Sequence, residues 1–485
     1  MRSTIPATAL LFLGIFFSIC GIAGRLAAQP ITPRMGQVTG PVLPLQEYLQ
    51  QVLTYHPAAR RANLLALEAR AYEQLARGGF DPELFVDYDD KFFKGTDYWD
   101  IGEGGLRLPT LGGVEFGGGY RWATGSFLNP ENFQSPTRGQ SFVGLKANLL
   151  SGLVTDQRRT DLRRADLLQD WNALEATAQR NDLAYDAIVA YIQWAYLEEQ
   201  AAVLVYGLEL TELRLQQTIQ SFEAGDKPAL DTLETSIQLQ TRRADLLSTR
   251  ADLTAARQTV GQFLWSEEGL PDAMRPQTMP QPTALLLQPA VAGLVSNNPA
   301  LLAYDFKLRD LELERRLKAQ KALPKLTIKY ELLAEGFDFT PQSDPEGYDV
   351  GDFLLQDNKW GVTFSAPLFF RAARGDLQLN AIKIQQTTLD RQQKAGELAL
   401  KLEQYEQQIA LYRNQLAVYR QVVTDYQTLL EAERTKFDFG ESSVFLLNTR
   451  ENKLLDARLK LIKIEAELSK ATTGRQWILG LLAGQ

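Results

Sequence analysis

Apolar residues in the last quarter of the chain recur in a 4-then-3 rhythm. The series runs Leu398, Leu402, Tyr405, Ile409, Tyr412, Leu416, Tyr419, Val423, Tyr426 and Leu430. After Gly440 it resumes as Leu447, Leu454, Leu461 and Leu468, with Ala457, Ile464 and Ala471 three residues later. A period of 3.5 residues keeps a narrow apolar seam against a partner helix, so this pattern predicts two antiparallel helices joined at Gly440. No proline interrupts Gly375 to Gly440. At the helical rise the first arm is roughly 95 Å long, whereas a compact domain is about 30–40 Å across. The hairpin therefore has to project.

Taken from the start, residues 29–43 form a Pro- and Gly-containing lead-in. A helix is expected from Leu45 to Arg77, interrupted near His56-Pro57 and ended by Gly78-Gly79. Residues 83–150 then alternate as strands do: Leu84, Val86 and Tyr88 against Phe85, Asp87 and Asp89, and later Val143, Leu145, Ala147 and Leu149 against Gly144, Lys146 and Asn148. A long helix is expected over about 155–224, a break at Gly225-Asp226, a helix over about 228–265, and a Pro-rich linker over 269–289. The pattern then begins again. It predicts a helix over about 290–322, strands over about 325–336 and 359–370, a long helix over about 375–438 and a final helix over about 441–474.

This second pass is a duplication of the first, with repeat 1 over 44–268 and repeat 2 over 290–485. Asn298-Pro299 matches His56-Pro57 at an offset of 242, and Pro324 follows Pro299 by 25 residues just as Pro82 follows Pro57. Phe437-Asp-Phe-Gly440 matches Phe222-Glu-Ala-Gly225 at an offset of 215. Each half reads helix, strand, strand, long helix, turn, short helix. Two short helices end to end match one long helix in length, which suits a cylinder of even height.

Each predicted strand pair has one apolar and one polar face, as a sheet between lipid and water requires. On the second pair, Leu326, Ile328 and Tyr330, with Trp360, Val362 and Phe364, are the candidate lipid-facing residues. Four strands per chain cannot close, and an open edge in lipid leaves backbone groups unpaired. The wall must then be shared between subunits, and three copies give twelve strands.

Composition narrows the classes further. Arg2, the apolar run Ala9 to Cys20 and Ala27-Ala28 read as a secretory signal over 1–28. Cys20 is the only cysteine, so thiol chemistry and disulfides are excluded from the mature chain. The net charge is −8 and becomes more negative when Arg2 and Arg25 are removed, which disfavours nucleic acid as a partner. No later apolar run reaches the roughly 20 residues of a membrane-spanning helix. His56 is the only histidine and sits at a helix break, so neither a catalytic set nor a Cys/His metal cluster can be built, and no cofactor is expected. The expectation is a non-enzyme.

The whole mature chain resembles the TolC-type outer-membrane efflux proteins. The resemblance rests on the paired turn motifs, Phe222 to Asp231 and Phe437 to Asn448. It rests also on the strand-to-helix passages Ala147-Asn-Leu-Leu-Ser-Gly and Ala366-Pro-Leu-Phe-Phe-Arg. It implies a mainly α fold with membrane β, in which coiled-coil hairpins form an α-barrel tunnel and a homotrimer closes a 12-stranded transmembrane β-barrel. It implies outer-membrane lipid around the barrel, helices in the periplasm, and docking to a periplasmic adaptor (membrane fusion) protein and an inner-membrane transporter.

The helix turns are then the expected functional end. Gly225, Asp226, Asp231, Glu234, Asp438, Gly440 and Glu441 would lie near the periplasmic aperture, where three-fold repetition turns one inward acid into a ring that favours cations. In the resembled family, aspartates two turns past the second glycine help close the entrance. Leu446 and Thr449 stand there in this chain, while Asp231 retains an acid after the first turn. Arg242, Arg243 and Arg450 are candidates for an exposed adaptor-docking face. The alternative reading is a non-conducting periplasmic or surface coiled-coil scaffold, which would have no use for lipid-facing strands.

Overall fold

The computed structural model describes residues 41–125, 127–128, 135–152, 154–271, 278–286, 295–339 and 357–482. The expected leader and most of the lead-in lie outside the described residues, as do parts of the Pro-rich linker and of the polar loop before Asn358. Helices α1 (Leu45–Tyr55) and α2 (Pro57–Gly78) are separated at His56. The His56 side chain accepts the Ala58 N–H and Pro57 occupies the first helical position, so residue 56 ends one helix and caps the next. Asn298 does the same for α5 (Pro299–Lys321), accepting from Ala300 at 2.9 Å. The duplicated His-Pro and Asn-Pro pairs are thus one capping device used twice. The expected start of this helix at residue 290 lies outside the described residues. Residues Val295–Asn297 form a 3-10 turn, and α-helix begins only at Pro299.

Four further helices complete the α part: α3 (Gln157–Glu223), α4 (Ala229–Gly261), α6 (Arg371–Asp438) and α7 (Val444–Ile478). The seam anticipated from the 3.5 period is present. Leu398, Ile409, Leu416 and Leu430 of α6 are buried with Leu447, Leu454, Ile464, Leu468 and Ala471 of α7, and the tyrosines Tyr405, Tyr412, Tyr419 and Tyr426 pack partly buried beside them. Both α2 and α4 lie along α3, while α5 and α7 lie between α3 and α6. Side chains fix this order. Arg164 of α3 grips Asp310 of α5 in a two-pronged ion pair, and Arg391 of α6 pairs with Asp305 of α5 at 2.7 Å. Two short helices therefore line each side of a long one, giving four helical columns.

The columns are tied at mid-length. Tyr48 and Val52 of α1 pack on Ile188, Tyr191 and Trp194 of α3, with Val260 of α4 and Leu482 closing the cluster. Burying each such large side chain stabilises by about 1.5–3 kcal/mol. A short parallel pair, β1 (Val42–Leu43) with β6 (Met279–Pro280), lies over this hub, and the Tyr191 hydroxyl donates to the Leu43 carbonyl while accepting the Gln281 N–H.

The second layer is one antiparallel sheet: β2 (Glu83–Phe93), β3 (Thr96–Pro109), β4 (Val114–Thr124), β5 (Gln140–Asn148), β7 (Lys325–Glu335) and β8 (Asn358–Ser365), hydrogen-bonded in that order. This corrects the expectation of four strands per chain. The first repeat supplies two hairpins, not one. The sheet is open: in the single chain β2 and β8 are its two edges, and no closed barrel is formed.

Candidate functional site: the sheet faces and the helical turns

In an antiparallel sheet directly opposed residues share a face. Leu326 opposes Phe364, Ile328 opposes Val362 and Tyr330 opposes Trp360, which places all six candidate lipid-facing residues on one side. The row continues through Val143 and Leu145 of β5, Phe116 and Tyr120 of β4, Leu106 and Leu108 of β3, and Leu84, Val86 and Tyr88 of β2. Most of these side chains are exposed in the chain taken alone. Near one end of this face Trp122 lies across β3, donating its indole N–H to Asp100 at 2.9 Å. Gly102 makes room for it, since a Cβ there would sit 2.2 Å from the ring.

The opposite face is polar and carries both signs of charge. Arg121 spans two strands to reach Glu331 at 2.7 Å, with its guanidinium stacked on Phe142. Glu103, Arg107, Glu115, Lys146 and Lys329 lie around them. One apolar and one polar face, carried without a break over six strands, is what a wall between lipid and water requires. None of the described helices is long and apolar enough to cross a membrane.

At the far end of the long helices the two turns are built alike. The Gly225 N–H bonds to the Phe222 carbonyl and the Asp226 N–H to that of Ser221; the Gly440 N–H bonds to Phe437 and the Glu441 N–H to Lys436. Both glycines adopt positive φ, 81° and 76°, the left-handed geometry that ends a helix in this way. The 215-residue offset read from the sequence is thus repeated bond for bond.

Side chains around the two turns differ. Asp226, Asp438 and Glu441 are exposed at the tips, and Asp231 and Glu234 are half-buried in the first turns of α4. Leu446 remains exposed, while the Thr449 hydroxyl is spent on the Phe445 carbonyl of its own helix. Lys227 lies over the Phe437 ring at 4.6 Å, and burial there holds its ammonium below the ordinary lysine range against the pull of Asp231. Glu433 receives the Ser442 hydroxyl at 2.5 Å and Arg450 at 3.4 Å; these bonds, the serine's foremost, lower its carboxyl pKa.

Behind the tips sits a joint that the apolar pattern does not disclose. Glu451 of α7 receives Arg214 of α3 at 2.9 Å and Arg434 of α6 at 3.4 Å, so one carboxylate holds both long helices. Its side chain is 3% exposed and that of Arg214 10%. Alongside, Arg242 of α4 donates to the Gly207 carbonyl at 2.7 Å and to Asn452 of α7. Arg242 is therefore buried, not part of an exposed docking face, and burial lowers its pKa. Gly207 is required for that crossing, because a Cβ would meet the guanidinium at 2.4 Å. Arg450 is likewise engaged with Glu433. Of the three arginines Arg243 is the most exposed, paired with Glu212 at 2.9 Å, and Arg450 is partly exposed.

Among the described residues there is no group of three or more His, Cys, Asp or Glu side chains able to hold a metal ion. His56, besides its cap, lies between the rings of Phe263 and Trp265, and burial lowers its pKa.

No family model matches the chain, and no curated protein matches it in sequence. Solved structures do match over nearly its whole length. The Campylobacter jejuni outer-membrane channel CmeC aligns over 90% of this chain and 85% of its own, at 11% identity and a TM-score of 0.63. The Neisseria gonorrhoeae outer-membrane channel MtrE, in its open state, aligns over 90% and 88%, at 13% identity and 0.62. The Vibrio cholerae outer-membrane protein VceC aligns over 90% and 96%, at 12% identity and 0.60. Long paired helices joined to a membrane-type sheet define the class. The chain has the fold of the TolC-type outer-membrane channels.

Proposed function

We propose that this chain is one subunit of a homotrimeric channel-tunnel in the outer membrane, with its helices in the periplasm. It serves as a passive exit duct, in efflux of small molecules or in secretion, for an energised inner-membrane transporter reached through a periplasmic adaptor. The observation that carries this reading is the six-stranded sheet with one continuous apolar face and two open edges, set on helices roughly 100 Å long. A soluble scaffold would leave that face and both edges in water, a standing aggregation hazard. Lipid covers the face, and neighbouring copies cover the edges.

The reading also assigns the turn residues. Asp226, Asp231, Glu234, Asp438 and Glu441 surround the periplasmic aperture, and three-fold repetition makes rings of them. The Glu451 joint ties the first hairpin to the second, so opening the aperture requires the hairpins to move together or the joint to break. Membrane fractionation with planar-bilayer recording tests the proposal. A detergent-extracted protein that forms long-lived pores is expected, and a chain that stays soluble without detergent and conducts nothing would overturn it.

A further inference from the structure

The second hairpin of the first repeat changes what three copies would build. Strands β2 and β3 pair with each other over eleven residue pairs, with a single bulge between Lys91 and Phe92, and β3 pairs with β4 over ten. The hairpin is therefore part of the sheet. It spans the same height as its neighbours: β2 starts four residues past α2, and β3 returns to the Thr110–Gly113 turn, beside Arg159 at the start of α3. Its outer face carries Leu84, Val86, Tyr88, Leu106 and Leu108, in the same row as the candidate lipid-facing residues of β7 and β8. A hairpin standing free in water would not need that row.

The two edges of the sheet also suit each other. Six antiparallel strands leave β2 and β8 running in opposite directions, so β8 of one copy can continue the antiparallel ladder with β2 of the next. On the polar face, β2 presents Glu83, Asp87 and Asp89, whereas the edge strand β8 presents Lys359, with Lys325 one strand further in on β7. Acid meets base across such a seam.

The dimensions agree. Eighteen strands about 4.8 Å apart, tilted about 40°, give a circumference of about 113 Å, against about 75 Å for twelve. Four helical columns from each of three chains, at about 9–10 Å between axes, give about 110–120 Å. An eighteen-stranded wall meets the helical tunnel without a step in girth.

We infer that the seam between copies is β8 on β2, and that three chains close an eighteen-stranded barrel. The inference rests on the channel reading above and specifies its wall. It is tested in the full chain by paired cysteines, which meet no other thiol once the segment holding Cys20 is removed. Val86→Cys or Tyr88→Cys, combined with Trp360→Cys or Val362→Cys, is expected to yield covalent dimers and trimers on oxidation. If the extra hairpin left the wall, β4 would meet β8 instead. Phe116→Cys or Tyr120→Cys with the same β8 partners would then cross-link, which overturns the inference while leaving the channel intact. Counting strands in an image reconstruction of the detergent-purified protein decides where cross-linking is weak. Eighteen strands uphold the seam and twelve remove it. A monomer without pores removes the channel reading as well.

Discussion

The two helical hairpins share a turn but not a way of being fastened. Their backbones close on glycines in the same geometry with the same pair of hydrogen bonds. The second hairpin is stitched within itself: Ser443 caps α7, and Glu433 reaches across the turn to Ser442 and Arg450. The first has no side-chain cap on α4; Arg242 to the Gly207 carbonyl and Arg243 to Glu212 tie α4 to α3, and Arg214 and Arg242 also reach outward to α7. Duplication kept the backbone solution and redistributed the side-chain work.

The largest effect should come from cutting the tie. Glu451→Ala leaves Arg214 buried without its partner, and losing one member of a buried pair costs about 3–5 kcal/mol. Thermal melting should drop markedly, with more frequent channel opening in bilayer recordings. Replacing both partners, Arg214→Met with Glu451→Leu, should restore most of the stability. A Glu451→Ala protein that melts like the parent would mean the hairpins are not joined there.

The shared turn is tested next. Gly225→Val and Gly440→Val each force a branched side chain into the left-handed region at about 1–2 kcal/mol. Neither position has a neighbour within 4 Å of a new Cβ, so the two costs should match. Unequal melting shifts would show that the turns are less alike than their hydrogen bonds.

Asp231→Asn then probes the open tip of the first hairpin. On the trimeric reading, loss of three equivalent charges should lower cation over anion permeability, measured as a shift in reversal potential across a salt gradient. No shift would remove Asp231 from the pore lining.

The smallest effect concerns the stitch in the second hairpin. Because Glu433 has a depressed carboxyl pKa in the folded chain, the stability it adds is complete above the ordinary glutamate range. It is lost as the pH falls through the depressed value. Glu433→Gln should flatten the acid limb of the melting-versus-pH curve. An unchanged limb would assign acid sensitivity to other groups.

Features with a strong period were legible in the chain before folding. The α6–α7 seam, the two glycine turns, the repeated cap before Pro57 and Pro299, and the alternation of β7 and β8 all follow from spacing. The β2–β3 hairpin was obscured because Gly102 and Gly104 stand where apolar residues would mark the period, and Asp90 and Asp100 interrupt it. The Glu451 joint was missed for a related reason. Helix α7 packs on two sides, and its second face consists of Asn448, Glu451, Leu455, Ser469, Thr472 and Gln476, mostly small or polar. A hydrophobic pattern does not register such a face.

The hub around Tyr48, Tyr191 and Trp194 makes α3 a lever. It grips this 67-residue helix at its waist, between Leu183 and Leu197. From Leu197 to Glu223 the arm, tied to α4 and α7 through Gly207 and Arg214, is about 39 Å long at the helical rise. A tilt of about 5° about that fulcrum carries the tip about 3 Å, and the waist itself scarcely shifts. On the channel reading, a partner pressing on the turns widens the aperture by small rotations and leaves the sheet at rest.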